Sequence, residues 1–482
     1  MQIVPLLQLS LLLVTTYGSG EVAERCLSCP ALVAEIVVGM ALGPNGLNII
    51  PFHDSISALG QLGLLLIILE GGLHIELHTL RRVGWKAFAI ALSGTTLPVA
   101  LSLGVLQTLP PFSYKDALVA GTSLSSTAIG MAAKLMADMD LLSTHLGQLI
   151  CCAAMIDDVA SLILLAMISS AAGTNTDDHG GGKSDDLADW GPSGGSWGVA
   201  IPLISSLFFL FFSIIAAAAM PRAVRSLGLR MARCEEWWAE RRQGGGTGKG
   251  GGVRGEKNAL GDATLLLLLF AFAAALTTCA HAARTTALLG CFMSGVAFAS
   301  VDGALEAWDR HAPSLTAWTS RLFFASIGFA VPVQELFSGA ALAYGALLAA
   351  IAVGSKIVTG AWEWQSKWTV GWAMVGRGEL GFVMAEEGYR TGLTTKLTFA
   401  VTVWALLIAT LLSPIAFRRA LAAGPSPDLE ERVEGSGADG NDRGITNART
   451  DRDLDAALRS RASGASSLSV DHFADEESES RL

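Results

Sequence analysis

The 482-residue sequence is poor in charged residues. Only 16% of its residues are Asp, Glu, Lys or Arg, against about 25% in ordinary soluble domains. By contrast, 51% are hydrophobic and the mean hydropathy is +0.47. Two large soluble domains would need more charge and more evenly spaced polar residues. The composition therefore indicates an all-α polytopic membrane protein.

The sequence also lacks a disulfide or metal framework. Cys26 and Cys29 have the C-x-x-C spacing, but no second pair accompanies them, so we predict no metal site there. Four more of the seven cysteines lie in apolar stretches, where cysteine acts as a small buried hydrophobe: Cys151, Cys152, Cys279 and Cys291.

The net charge of −10 is concentrated at the C-terminus. Residues 424–482 hold 14 Asp and Glu against 7 Lys and Arg, with few apolar residues. Such a segment cannot bury enough surface to fold by itself. We predict a membrane domain over residues 1–423 and a disordered acidic cytoplasmic tail over residues 424–482. The tail offers no basic patch for nucleic acid.

Apolar runs of about 20 residues predict around thirteen membrane spans. The first could be mistaken for a cleaved signal peptide, but it has no basic n-region and "TTYGSG" is a poor cleavage site. We therefore interpret it as a helix. The predicted spans are 3–18, 31–50, 58–75, 85–109, 116–137, 145–171, 198–220, 262–280, 285–301, 315–331, 339–361, 368–390 and 396–417.

Basic residues between the spans predict an orientation. They cluster at 81–86, 222–242 and 418–419. The positive-inside rule places these three groups in the cytoplasm, which puts the N-terminus outside or in a lumen and the C-terminus in the cytoplasm. Two inserts, the acidic 172–197 and the glycine-rich 243–258, are predicted to be flexible loops.

Asp157 and Asp158 stand side by side within the apolar sixth span, "CCAAMIDDVASLILLAM". At the centre of a membrane helix each carboxylate costs about 2.5–3.5 kcal/mol on insertion scales. Neighbouring helix residues point about 100° apart, so the two cannot make the same contact. One can face a cavity while the other faces another helix. A structural ion pair that serves only stability is the alternative.

Three further spans carry features that lipid would reject. The fifth contains "GTSLSSTAIG", whose hydroxyls either join helices or line an ion path at a break in the helix. Lys356, the only charge of the eleventh, either snorkels to the headgroups or neutralises a buried Asp. In the twelfth, Arg377 and Glu379 alternate with glycines, which predicts a second broken helix. Interrupted spans in both halves are expected of inverted-repeat transporters.

These motifs carry a family resemblance. In order they are "CPALVAEIVVGMALGPNGL", "GLLLIILEGGLHIEL", "SSTAIGMAAKLM", "GQLICCAAMIDDVASLILL", "RLFFASIGFAV" and "GRGELGFVMA". Together they resemble the monovalent cation:proton antiporters, specifically the Na+/H+ exchanger domain of the antiporter-2 group, over residues 25–417. The resemblance implies thirteen helices in two inverted repeats with crossed discontinuous helices. A core domain would hold spans four to six and eleven to thirteen, and most of the rest would form the dimerisation domain of a homodimer.

The resemblance also implies roles for the ionisable residues. Asp158 would bind the ion, and Asp157 would pair with Lys356. Thr127, with Ser126 before it, would lie at the first helix break and contribute to the ion- and proton-binding site. The two Asp and Lys356 would titrate as one coupled set.

The resemblance also implies roles for other residues of the matching motifs. Arg377 and Glu379 would hold the second break and a cytoplasmic network. Glu35 and Glu70 are secondary candidates for ion or proton binding. One departure concerns the second break, where Gly376 stands in place of the proline that the family usually has before Arg-Gly-Glu.

The expected activity is exchange of Na+ or K+ for H+ by alternating access at the Asp pair, without a cofactor and without enzymatic chemistry. Asp at both positions is associated in the family with electrogenic exchange. The partners would be a monovalent cation, the proton and the lipid bilayer. A channel or sensor on the same scaffold, or a symporter of another solute, is the alternative. An intramembrane aspartyl protease would need its two Asp on separate helices in a Gly-x-Gly-Asp setting, which is absent.

Overall fold

The structure is a computed structural model. It describes residues 3–27, 30–75, 84–128, 144–173, 203–213, 215–226, 261–283 and 285–423, with Ala133, Met136 and Leu141. The predicted tail, the glycine-rich insert, almost all of the acidic insert and Cys29 lie outside the described residues. So do the arginines of the first basic group and most of those in the second.

The described chain is almost entirely helical. Its helices are α1 (Ile3–Leu27), α2 (Ala31–Leu42), α3 (His53–Leu73), α4 (Trp85–Leu106), α5 (Tyr114–Ser123), α6 (His145–Gly173), α7 (Leu203–Ser213), α8 (Ile215–Ser226), α9 (Asp262–Ala282), α10 (Ala287–Phe298), α11 (Ala304–His311), α12 (Pro313–Ala330), α13 (Val333–Leu336), α14 (Gly339–Thr359), α15 (Lys367–Val375), α16 (Glu379–Arg390) and α17 (Lys396–Ala423). A short 3-10 turn, Gly360–Trp362, follows α14.

Every predicted span overlaps a helix, although several bounds were wrong. The first helix runs to Leu27 and not to residue 18. The second ends at Leu42 because Pro44 cannot continue a helix and disfavours helical geometry at Gly43, which is extended. The fifth is helical only to Ser123 within the range 114–128. These differences arise where proline or hydroxyl residues interrupt an otherwise apolar run.

Among the described residues, six helices are long and apolar enough to cross a membrane, or seven if the bent pair α7 and α8 forms one span. Helices α2 and α10 are apolar but have only 12 residues each, which is too short to cross a bilayer alone. The count of thirteen spans, the two inverted repeats and the direction of the termini stay predictions.

The described helices pack into two groups. In one, α2 and α3 both pack against α12, and α3 also packs against α10. In the other, α4 packs against α5, α6 and α14, while α17 packs against α14 and α15. The broken pair α15 and α16 also joins this second group. It contains the spans that the resemblance assigns to a core domain, and it holds all the side chains of the site described next.

Candidate functional site

The first break follows α5, whose two ends have different chemistry. At the start, Ser113 and Asp116 form a capping box, in which each side chain bonds the other residue's backbone amide. Asp116 also accepts hydrogen bonds from the Thr395 amide at 3.1 Å and the Thr398 hydroxyl at 2.6 Å. The buried carboxylate therefore ties the start of α5 to the start of α17.

Hydroxyl side chains surround the other end of α5. Thr122 and Ser123 donate to carbonyls one turn earlier, and the Ser125 hydroxyl donates to the Thr122 carbonyl at 2.7 Å. Such bonds compete with helix propagation and satisfy main-chain oxygens near a helix end. The chain is irregular from Ser126 to Ala128, and its side chains remain buried. The run of hydroxyls thus accounts for a break inside the protein.

The second break is the segment Gly376–Arg377–Gly378 between α15 and α16. The two breaks contact each other within this second group of helices. The Ala128 amide donates to the Gly376 carbonyl at 3.0 Å. A Cβ added at Gly378 would lie 3.0 Å from the Ala128 Cα, so glycine permits this approach.

Asp157 lies on α6 beside the first break and is completely buried. Its Oδ2 accepts hydrogen bonds from the Lys356 ammonium at 2.8 Å and from the Thr127 hydroxyl at 2.6 Å. The ammonium of the equally buried Lys356 also contacts the Thr127 hydroxyl at 2.8 Å. Asp157, Lys356 and Thr127 therefore form a closed triangle across α6, α14 and the first break.

The other carboxylate oxygen of Asp157 has a partner that the sequence did not reveal. Thr95 of α4 donates to Asp157 Oδ1 at 2.7 Å and also lies 2.9 Å from the Ala91 carbonyl. A hydroxyl has one proton, so it can donate fully to only one of these acceptors at a time. Next to it, Gly94 leaves space for the amine: a Cβ there would lie 3.1 Å from Lys356 Nζ.

Asp158 is in a different situation from its neighbour. Its side chain is 7% exposed, and its buried Oδ1 has no hydrogen-bond partner in the described part of the protein. It interacts electrostatically with the carboxylates of Glu379 and Asp157 and with the Lys356 ammonium. The structure thus gives Asp157 a full set of partners and leaves an oxygen of Asp158 able to accept a ligand.

Arg377 is fully buried between the two breaks. Its guanidinium donates to the Ser126 carbonyl at 3.2 Å and to the Ala352 carbonyl of α14 at 2.6 Å. Arg377 and Glu379 form no ion pair with each other; Glu379 is partly buried at the first position of α16. The guanidinium therefore holds the first break and α14 against the second break through main-chain oxygens.

Ser126 contributes to this centre by its main chain. Its side-chain oxygen faces α16, where a Cβ added at Gly381 would approach it to 2.9 Å. The other acidic candidates lie apart from the Asp pair. Glu35 on α2 faces Arg321 of α12, with Oε1 3.4 Å from Nε, and Glu70 on α3 interacts electrostatically with His74. The structure therefore gathers Asp157, Asp158, Thr127, Lys356 and Arg377, and leaves Glu35 and Glu70 outside this group.

The formal charges of the centre favour a cation. The two Asp balance Lys356 and Arg377 if all four are ionised, and Glu379 adds one negative charge. The oxygen atoms near the breaks belong to carboxylates, hydroxyls and main-chain carbonyls. These are the ligands that a hard, weakly polarising ion prefers.

Comparison with known proteins gives three findings. The profile described as "Sodium/hydrogen exchanger, transmembrane" matches residues 9–235 and 258–423. The high-affinity Na+/H+ antiporter NhaS3 of Synechocystis sp. is 24% identical over 414 residues, which are 83% of this chain and 80% of that protein. The Na+/H+-K+ antiporter GerN of Bacillus cereus is 23% identical over 421 residues, covering 84% of this chain and 94% of its own length.

A solved structure shares the fold. The sodium proton antiporter MjNhaP1 from Methanocaldococcus jannaschii at pH 8 superimposes with a TM-score of 0.55 and 15% sequence identity. The alignment covers 86% of this chain and 97% of that one. At this identity the match supports the arrangement of helices and says nothing about individual residues.

Proposed function

The chain belongs to the sodium/hydrogen exchanger family, and from this premise we propose that it is a secondary antiporter that exchanges Na+ for H+ across a membrane. The named relatives are transporters and not enzymes, which supports a function without a cofactor and with transported ions as the only substrates. The name of GerN includes K+, so K+ is a second cation to test. A homodimer, as the resemblance implies, remains part of the proposal.

Asp158 carries the proposed mechanism. Among the described residues its buried Oδ1 has no hydrogen-bond donor, whereas both oxygens of Asp157 have donors. In the low-polarity interior an unpartnered carboxylate oxygen is costly, and either a proton or a bound cation relieves that cost. Binding of one excludes the other at the same oxygen. Competition at Asp158 therefore couples the two fluxes when the site is exposed to the two sides in turn.

The surrounding residues have supporting parts in this proposal. Asp157 holds Lys356 in place and compensates its charge. Arg377 fixes the two breaks together, so that the hydroxyls and carbonyls of residues 126–128 stay beside the Asp pair. The Thr127 hydroxyl contacts both Lys356 and Asp157, and these two contacts keep its oxygen at the edge of the site. The half-helix α16 begins there, and its N-terminal end carries Glu379.

Proteoliposomes with an internal pH-sensitive dye test the proposal. Na+, K+ and Li+ gradients are applied in turn, with and without a clamped membrane potential. We expect saturable proton movement driven by Na+ in the wild-type protein and background signal in Asp158→Asn, which keeps the shape but loses the charge. The matched control is Asp54→Asn, which changes an Asp whose side chain is 98% exposed at the start of α3.

The outcomes separate the alternatives. Persistent cation-driven proton movement in Asp158→Asn would exclude this residue as the shared site. Single-channel currents without coupled proton flux would instead identify a channel on the antiporter scaffold. Proton flux driven only by another solute, and not by any of the three cations, would indicate a symporter.

A further inference from the structure

A groove lies between α15 and α17, away from the Asp pair. It has a volume of about 580 Å³. Both helices and the turn before α15 contribute to its walls. The side chains that decide its chemistry are Gln365, Trp368, Trp372, Leu412, Ile415 and Arg419.

The groove is polar at one end and apolar at the other. The start of α15 lies beside the end of α17, since the two helices pack together and Gln365 and Arg419 line the same groove. Leu412 and Ile415 come one to two turns earlier on α17, and Trp372 comes about one turn after Trp368 on α15. The lining thus passes from an amide and a guanidinium to an indole and two aliphatic side chains.

The apolar part of the groove is open to the surroundings of the protein. Trp368, Leu412 and Ile415 are 58%, 44% and 45% exposed. In a membrane protein, exposed apolar side chains of this kind are suited to contact with acyl chains. The Lys367 ammonium lies 4.0 Å from the ring centre of Trp364 and 6.0 Å from that of Trp368. Tryptophan and basic residues together are typical of the level of the lipid headgroups.

The polar end carries unbalanced positive charge. Arg419 is exposed, and within the described part of the chain neither a hydrogen bond nor an ion pair engages its guanidinium. No Asp or Glu is among the residues that line the groove. A guanidinium is well suited to bind phosphate oxygens. A phosphate with an attached acyl chain would match both ends of the groove.

We propose that this groove binds one anionic phospholipid. Its phosphate bonds to Arg419, and its glycerol backbone and upper acyl chain lie along Trp372, Leu412 and Ile415. An anionic lipid fits better than a zwitterionic one because the choline of the latter would bring a positive charge beside Arg419 and Lys367. A free phosphate ester would leave the apolar part of the groove unused.

The position of the groove connects it to the second break. At the groove, the Ser413 hydroxyl of α17 donates to the Trp372 carbonyl of α15 at 3.2 Å. Two residues further, the Met374 carbonyl lies 3.5 Å from the Thr127 hydroxyl, and α15 then ends at the break. A lipid in the groove would therefore contact the helix that leads directly to the Asp site, and its occupancy would fix α15 against α17.

Lipid binding is measured on the full-length purified protein in detergent. Phosphatidylglycerol and phosphatidylcholine with identical acyl chains are added, and bound lipid is detected by native mass spectrometry and by the melting temperature. Glycerol phosphate without acyl chains forms the third arm. We expect selective retention and stabilisation with phosphatidylglycerol, and Arg419→Gln should weaken this binding about tenfold.

Two further variants make the result specific. Arg418→Gln removes the same charge at nearly the same depth from a residue outside the groove, and it should keep selective binding. Ile415→Trp fills the apolar part while keeping Arg419, and it should abolish binding. Equal losses in the two arginine variants, equal binding of both lipids, or an equal effect of glycerol phosphate would overturn the proposal. None of these measurements requires transport activity, so they do not depend on the proposed exchange function.

Discussion

The Lys356 ammonium lies 2.8 Å from Asp157 Oδ2, and neither side chain is exposed to solvent. This ion pair distinguishes two neighbouring residues that look equivalent in the sequence. Asp157 has Lys356, Thr127 and Thr95 as donors, whereas Oδ1 of Asp158 has none among the described residues. The helix rotation of about 100° per residue explains how two adjacent carboxylates come to lie in such different surroundings.

Replacement of Asp157 by Asn should destabilise the protein more than it changes the cation site. It leaves the buried Lys356 ammonium without a counter-charge, and breaking a buried ion pair from one side costs about 3–5 kcal/mol. Asp157→Asn combined with Lys356→Met should recover most of this loss. Thermal unfolding of the single and double variants gives the coupling free energy between Asp157 and Lys356.

The control for this cycle is Asp54→Asn, an exposed change that should leave the melting temperature unaltered. Equal melting temperatures of wild type and Asp157→Asn would show that the ion pair contributes nothing. Recovery that is missing in the double variant would assign the loss to some other contact of Asp157.

Thr95 should stabilise the buried Asp157 carboxylate. Thr95→Val keeps the shape of the side chain and removes a hydrogen bond to that carboxylate. Since a bond to a charged group contributes about 1.5–3 kcal/mol, the free energy of unfolding should fall by about that amount. Thr95→Ser keeps the hydroxyl and should restore the wild-type stability.

The neighbouring Thr96 supplies a matched control. Its hydroxyl donates to the Leu92 carbonyl at 2.8 Å on the exposed side of α4, so Thr96→Val removes a hydroxyl without touching the Asp pair. The melting temperatures of the Thr95 and Thr96 variants are compared. If Thr95→Val and Thr96→Val lower the melting temperature equally, the bond from Thr95 to Asp157 contributes nothing specific.

The second break should tolerate proline in place of Gly376 but not alanine in place of Gly378. Gly376 has φ −55° and ψ 127°, within the range of a proline ring, and its carbonyl, which proline retains, accepts the bond from Ala128. Gly376→Pro should therefore fold and exchange ions. Gly378→Ala would place a Cβ 3.0 Å from the Ala128 Cα, which pushes the breaks apart and should lower exchange severalfold.

Gly354→Ala, at a helix position with open space around the glycine, is the control for the added methyl group. Exchange rates per folded molecule in proteoliposomes are compared for the three variants. If Gly376→Pro were inactive and Gly378→Ala fully active, the close approach of the two breaks would not be needed for exchange.

Asp116 should matter for stability and not for ion selectivity. Asp116→Asn removes two acceptor positions from a carboxylate that joins the start of α5, at Ser113, to the start of α17, at Thr395 and Thr398. We expect a loss of about 2–3 kcal/mol in the free energy of unfolding. The relative exchange rates for Na+, K+ and Li+ should not change. A variant with wild-type stability or a changed cation preference would contradict this assignment.

The sequence alone could identify residues whose energetic cost follows from their immediate neighbours in the chain. A charge in an apolar run, or glycines and hydroxyls in a predicted span, needs no knowledge of distant partners, so Asp157, Asp158, Lys356 and both helix breaks could be identified. Thr95 could not, because Thr95 and Thr96 have the same local context and only the packing of α4 on α6 distinguishes them. The same limit explains Glu35, whose costly burial has a partner, Arg321, that lies far away in the chain.

The bond between the Ala128 amide and the Gly376 carbonyl uses main-chain atoms alone. Any amino acid except proline at position 128 can donate it, and any residue at position 376 can accept it. Substitutions at these two positions, other than proline at position 128, therefore leave the donor and the acceptor of this link in place. The residues that line the proposed ion site can therefore change while this main-chain link between the two breaks is preserved.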